Sequence, residues 1–151
     1  MKRMLTTLIA LAAAATLVVL PTISKRNVTA VHAQSGCSNA TLTGNYGFSF
    51  GGFQIQHGTQ RSVPFYGAGL ATFDGAGNAS ATFNFGSNGK ITTNQPYTAT
   101  YTVNSDCTGS VTATPGSGGD NFTFVIVGGG AEVLAVDISA GETLTADFKR
   151  Q

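Results

Sequence analysis

Charged residues are scarce in this sequence, at 10% of 151 positions, and tryptophan is absent. Four of the eight basic residues precede position 34, whereas all seven acidic residues follow it. The chain after position 33 therefore has four basic and seven acidic side chains, a net charge of −3. Because such a chain lacks a basic patch for phosphate groups, we expect neither nucleic acid nor an anionic membrane surface as its partner.

Residues that commonly carry out catalysis are also few. His57 is the single histidine after position 33, and it lies in a polar stretch that is typical of a surface loop. A Ser-His-acid triad would need that histidine. Asp74, Asp106 and Asp120 fall in predicted turns, where an aspartate accepts hydrogen bonds from its own backbone. We therefore expect no catalytic residues and no two carboxylates that meet in a cleft.

The first 33 residues predict a secretory signal peptide. A positively charged start is followed by a predominantly apolar run of 16 residues at 5–20, which is shorter than the roughly 20 residues of a membrane-spanning helix. Val31-His32-Ala33 places suitable side chains at the positions that signal peptidase reads. We predict cleavage after Ala33, with Ala30 as the alternative site and a retained anchor as the alternative fate. Residues 34–151 then form one secreted domain, periplasmic or extracellular, without a membrane span.

The two cysteines, Cys37 and Cys107, both lie in the predicted exported part. An even number of cysteines in an oxidising compartment favours a disulfide. The alternative is a metal site or a reactive thiol. Two distant cysteines and one histidine cannot supply four zinc ligands without distant carboxylates. We therefore predict a Cys37–Cys107 disulfide and expect neither a metal nor a cofactor.

Apolar and polar residues alternate with a period of two along most of the chain after position 34, which predicts β-strands. Clusters rich in Gly, Asn, Asp and Ser separate these segments and predict tight turns. The predicted strands lie at 46–50, 67–73, 79–85, 97–103, 110–114, 122–126, 134–138 and 144–148. In the seventh of these strands, the predicted apolar face consists of Leu134, Val136 and Ile138.

Eight short strands with short connections favour an antiparallel arrangement, since parallel strands need long crossovers. The sequence therefore predicts an all-β fold, an antiparallel up-and-down barrel of about eight strands. A two-sheet β-sandwich satisfies the same pattern and is the alternative.

Aromatic side chains dominate the predicted inward faces. In a hollow barrel they would line a pocket for a small apolar molecule, whereas in a filled barrel they would form the core. The filled interior is the favoured interpretation. The residues proposed for a ligand pocket are Tyr46, Phe48, Phe50, Phe83, Tyr97, Tyr101 and Phe124.

Asp137 interrupts the apolar run Leu134–Ile138. Strand alternation places it opposite the Leu134 and Ile138 face, so we expect it to point to solvent. If its face is buried instead, Asp137 becomes the acidic residue of greatest functional interest.

Three blocks carry a resemblance to known proteins: 37–48, which begins Cys-Ser-Asn-Ala-Thr-Leu-Thr-Gly; 70–78, Leu-Ala-Thr-Phe-Asp-Gly-Ala-Gly-Asn; and 101–109, Tyr-Thr-Val-Asn-Ser-Asp-Cys-Thr-Gly. In this order they resemble small exported bacterial proteins of unassigned function, which implies secretion and a β-barrel. The Gly44-x-Tyr46 pair is similar to the Gly-x-Trp start of lipocalins, members of the calycin group. Allene-oxide-cyclase and dirigent proteins have a similar small barrel.

Three functions remain open from the sequence. The leading hypothesis is a secreted, non-catalytic binding or structural module of the cell envelope or medium, with a cell-surface component as a partner. The alternatives are a calycin-like carrier of a small apolar molecule and a barrel enzyme of the isomerase type. An interior cavity above about 300 Å³ would favour a carrier or an enzyme. A buried polar group in that cavity would favour the enzyme.

Overall fold

The computed structural model describes residues 36–56, 59, 61–117 and 119–151. The predicted signal peptide and His57 lie outside the described residues. A short 3-10 turn, Asn39–Thr41, precedes eight strands. They are β1 Thr43–Gln56, β2 Arg61–Asp74, β3 Asn78–Ser87, β4 Lys90–Val103, β5 Thr108–Ala113, β6 Phe122–Val127, β7 Glu132–Asp137 and β8 Glu142–Arg150.

The strands form a closed barrel in sequence order. Every neighbouring pair is antiparallel, and β1 pairs with both β2 and β8. The predicted up-and-down barrel is therefore confirmed, and the sandwich alternative is wrong. Strands β1, β2 and β4 have 14 residues each and are longer than the alternation alone indicated. No helix among the described residues is long and apolar enough to cross a membrane.

The predicted hairpin turn at Asp74 is present between β2 and β3. Oδ1 of Asp74 accepts hydrogen bonds from the backbone N–H groups of Ala76, Gly77 and Asn78, at 2.7 to 2.9 Å. The hydrogen bond from the Asn78 side chain, followed by these backbone donors, lowers the pKa of Asp74 to about 2. An aspartate that serves its own turn in this way leaves little capacity for a ligand.

The predicted disulfide is confirmed. Cys37 and Cys107 are bonded, with their Cα atoms 5.0 Å apart, and the bond closes a loop of 70 residues. The backbone N–H of Cys37 also donates to the carbonyl of Ser105, at 3.2 Å. The disulfide thus joins the N-terminal segment to the turn between β4 and β5.

That N-terminal segment packs across one end of the barrel. Leu42 and Tyr46 are fully buried there. The Tyr46 hydroxyl donates to the carbonyl of Gly130 at 2.7 Å and accepts from Nη2 of Arg150 at 2.7 Å. The Tyr101 hydroxyl donates to the carbonyl of Leu42 at 2.9 Å. Buried hydroxyl groups with such partners make this a rigid, closed end.

Strand β7 has the opposite orientation from the one predicted. Leu134, Val136 and Ile138 are 44%, 52% and 59% exposed, whereas Asp137 is only 7% exposed. The pairing of β6 with β7 explains this, because residues directly opposite each other share a face. Phe122, on the inner face, lies opposite Asp137. The expectation that Asp137 points to solvent is therefore wrong.

Candidate functional site

The barrel interior contains a cavity of about 370 Å³, so the favoured expectation of a filled interior is wrong. Of the seven aromatic residues proposed for a pocket, Tyr46 and Tyr101 do not line it and belong to the closed end. The other five, Phe48, Phe50, Phe83, Tyr97 and Phe124, line it together with Phe65, Phe73, Phe85, Phe122 and Phe148.

Small residues on the inner face create the space. Ala79 and Ala81 on β3, Ala135 on β7 and Ala146 on β8 all line the cavity. Ala135 and Ala146 lie directly opposite each other in the β7–β8 pair. A barrel with larger aliphatic residues at these positions would have a filled interior.

The phenylalanine rings contact one another along the cavity wall. Phe48 stacks on Phe148 with ring centroids 5.0 Å apart, and Phe83 packs edge-on against Phe50 at 5.7 Å. Phe83 also meets Phe48 at 6.2 Å. Such contacts stabilise ring positions beyond simple burial. The result is a continuous aromatic wall in a cavity whose other lining residues are mainly small or aliphatic.

Three carboxylates meet at the barrel end opposite the disulfide. Asp120 lies in the loop before β6, Asp137 ends β7 and Glu142 begins β8. One carboxylate oxygen from each lies within 4.8 Å of the others. We call Asp120, Asp137 and Glu142 the acidic cluster. Its existence contradicts the expectation that no two carboxylates meet in a cleft.

Asn121 holds the two loops of this end together. Its carbonyl accepts the N–H of Ile138 at 2.9 Å, and its own N–H donates to the Ser139 hydroxyl at 3.0 Å. Its side-chain oxygen accepts the N–H of Ala113 at 3.0 Å. Because Asn121 directly follows Asp120, these bonds fix Asp120 beside Asp137.

Two acceptor atoms in the acidic cluster have no donor from the described residues outside the cluster. Oδ1 of Asp137 accepts the backbone N–H of Ser139. Oδ2 of Asp137 and Oε2 of Glu142 are buried, and no backbone N–H, hydroxyl, amide or basic side chain of the described residues donates to them. Any hydrogen bond between them depends on a proton held by the acids themselves. Buried acceptors without donors are rare and destabilising.

The environment raises the pKa of these acids. Burial, followed by the charges and hydrogen bonds of Asp120 and Asp137, raises the pKa of Glu142 to about 8. Burial and the charge of Asp137 also raise the pKa of Asp120. The pKa of Tyr97 is raised by burial and by the two aspartates. Glu142 therefore retains its proton at neutral pH.

The basic residues of the described chain do not neutralise the cluster. Lys149 lies 3.6 Å from Oε1 of Glu132 and 3.5 Å from Oδ2 of Asp147. Arg150 donates to Tyr46 at the closed end. No lysine or arginine contributes to the pKa of Glu142.

The raised pKa of Glu142 predicts that the protein loses stability as the pH rises. Its pKa is 4.5 in an unfolded chain and about 8 in the barrel, so the folded state binds the proton more tightly. The free energy of unfolding then falls from about pH 4.5 to about pH 8. We expect a decrease of about 1–3 kcal/mol between pH 5 and pH 9, since partial exposure screens the interaction. Urea denaturation at pH 5, 7 and 9 measures it.

Glu142→Gln should flatten that dependence, because the amide does not titrate. Glu132→Gln is the matched control, since Glu132 pairs with Lys149 outside the acidic cluster and its loss should leave the slope intact. A wild-type protein equally stable at pH 5 and pH 9 would contradict the raised pKa.

One catalytic motif is matched by the sequence but not by the structure. Gly47-Phe48-Ser49-Phe50-Gly51 matches the Gly-x-Ser-x-Gly pattern, which in hydrolases forms a sharp turn between a strand and a helix. Here it lies within β1, and Ser49 is exposed on the outer face. It therefore forms no nucleophile elbow.

Comparison with known proteins gives no assignment. No protein-family model matches this chain, and no curated protein shows significant similarity to it. The eight-stranded barrel is consistent with the calycin-like architecture that the sequence suggested.

Proposed function

We propose that this protein binds a small, largely apolar molecule inside its barrel and acts as a carrier. The observation that supports this is the cavity of about 370 Å³ with its aromatic wall. Small-molecule sites typically have volumes of about 300–1,000 Å³ and mainly apolar walls. A cavity of this size favours a carrier over the secreted binding or structural module that led from the sequence, so the carrier takes first place.

We also propose that the protein works outside the cytoplasm, after removal of residues 1–33. The Cys37–Cys107 disulfide is compatible with this, because disulfides persist in oxidising compartments. A carrier in the periplasm or medium would protect an apolar molecule from water.

An enzyme of the isomerase type is the second candidate. Glu142 lines the cavity and has a pKa of about 8, which suits a general acid that exchanges a proton near neutral pH. A carrier releases its ligand unchanged, whereas such an enzyme converts it. Mass spectrometry of the molecule recovered after incubation in D₂O distinguishes the two, since proton exchange by Glu142 would introduce deuterium.

A cavity-filling variant tests the carrier proposal. Ala81 lines the cavity from β3, and the next residue, Thr82, is exposed on the outer face. Ala81→Phe places a ring in the cavity and should weaken binding of the neutral dye N-phenyl-1-naphthylamine by about 10-fold or more. Thr82→Phe adds a similar ring outside and should leave binding unchanged. Fluorescence titration measures the affinity, and thermal melting verifies that both variants are folded.

Two results would overturn the carrier. One is a wild-type protein that does not enhance the dye's fluorescence. The other is equal dye affinity in the wild type and a folded Ala81→Phe variant, which would place the dye outside the barrel.

A further inference from the structure

The cavity and the acidic cluster are parts of one space. Asp120 and Glu142 belong to the cluster and also line the cavity, beside the Tyr97 ring. The Tyr97 hydroxyl donates to the backbone carbonyl of Asp120 at 2.9 Å. A molecule in the cavity therefore meets phenylalanine rings along its length and carboxylates at one end.

An independent observation indicates that this end lacks a partner. Asp137 is 7% exposed, and its Oδ2 atom is buried without a hydrogen-bond donor. The same holds for Oε2 of Glu142. Both atoms require hydrogen bonds, and the described residues place no lysine or arginine there to supply them. Among the described residues, the proton of Glu142 is the donor that the cluster itself supplies. An ammonium group that displaces this proton would donate to several of the carboxylate oxygens at once and would match their negative charge.

The surroundings favour an organic cation over a metal ion. A calcium ion takes six to eight oxygen ligands, and Oδ1 of Asp137 is already occupied by the N–H of Ser139. The wall next to the carboxylates includes the rings of Tyr97 and Phe122, which cannot coordinate a hydrated ion. An ammonium group needs only a few acceptors and is also attracted to aromatic faces.

We propose that the ligand is an apolar molecule that carries one protonated amine. The ammonium group donates hydrogen bonds to Asp120 and Glu142, with the buried charge of Asp137 behind them. The hydrocarbon body lies against Phe48 and Phe83 in the aromatic wall. This inference rests on the proposed carrier function and names the chemical class of its ligand.

Three ligands with the same ring system test it: naphthalen-1-ylmethylamine, naphthalen-1-ylmethanol and 1-naphthoate. Calorimetric titration at pH 7 should show that the amine binds about 10-fold or more tightly than the alcohol, because its hydrogen bonds to the carboxylates are charge-assisted. The naphthoate should bind most weakly. This comparison uses the wild-type protein alone and needs no variant to fold.

Two variants then test whether the acidic cluster causes the preference for the amine over the alcohol. Asp137→Asn should lower the ratio of amine to alcohol affinity toward one, because it removes charge from the cluster. Glu142→Gln should lower the ratio as well, because an amide cannot release a proton to become the carboxylate that pairs with an ammonium group. Glu132→Gln is the matched control outside the cluster and should keep the ratio. Thermal melting establishes that each variant is folded.

Each alternative outcome has a distinct meaning. Equal affinity for the amine and the alcohol would overturn the amine inference and leave the carrier in place. Failure of all three compounds to bind would count against the carrier itself. Titration with calcium chloride completes the set: a tight calcium site that Asp137→Asn removes, without any amine preference, would make the cluster a metal site and overturn the inference.

Discussion

Replacing Cys37 and Cys107 together by alanine should lower the free energy of unfolding by about 4 kcal/mol. The disulfide closes a loop of 70 residues, and without it the unfolded chain gains the entropy of that open loop. Alanine is chosen because Cys37 is buried, where a serine hydroxyl would need a partner. Urea denaturation of the variant and the wild type measures the difference.

Reduction supplies the control for this prediction. Dithiothreitol should lower the stability of the wild type to about the value of the double variant and should leave the variant itself unchanged. A difference below about 1 kcal/mol between the oxidised wild type and the variant would contradict the prediction. It would mean that the N-terminal segment holds its place without the disulfide.

Phe124→Ala should be nearly as destabilising, by about 3–5 kcal/mol. Phe124 is 6% exposed, and its ring lies so close over Gly109 that a Cβ there would overlap it. Phe83 is less buried and borders the existing cavity. Both rings line the cavity, but Phe83 is only partly buried, so Phe83→Ala removes fewer packing contacts and its destabilisation should be smaller by at least about 1 kcal/mol. Equilibrium denaturation of the two variants tests this order.

Val125→Ala is the matched control beside Phe124. Val125 lies on the outer face of β6 and is 41% exposed, so its truncation should change the stability by less than about 1 kcal/mol. Equal losses for Phe83→Ala and Phe124→Ala would contradict this order and would mean that Phe83 is packed as tightly as Phe124.

The barrel and the disulfide followed from the sequence because both depend on local signals. The alternation around Tyr97–Val103 and the Asp74 turn are readable within a few residues, and the two cysteines had no other partner. Strand order then followed from the short connections.

The acidic cluster could not be predicted from the sequence, because it depends on which face of β7 is buried. The run Val133–Ile138 is apolar on both faces apart from Asp137, so alternation alone gives no orientation. The hairpin register would have given it: Val127 lies opposite Glu132 across a four-residue turn. That register places Asp137 opposite Phe122 and therefore inside. Predicting the position of Asp120 would also have required the conformation of its loop, which Asn121 fixes.

The hollow interior was equally hard to anticipate. Ten inward aromatic residues predict a filled core when they are counted alone. The empty volume arises because alanines such as Ala81, Ala135 and Ala146 occupy the remaining inward positions. Whether rings fill such a space depends on their packing in three dimensions, which no linear pattern records.

The order of the strands around the barrel also determines how the chain can fold. Each of the first seven strands pairs with its successor, so these ladders can form early as hairpins, within microseconds for a favourable one. The pairing of β1 with β8 is different, since Phe48 and Phe148 lie opposite each other although about 100 residues separate them. Closing so long a loop has a large entropic penalty, which slows folding. Until that last ladder forms, β1 and β8 are open edges that can pair with another chain, so the period before closure is when this protein is most prone to aggregate.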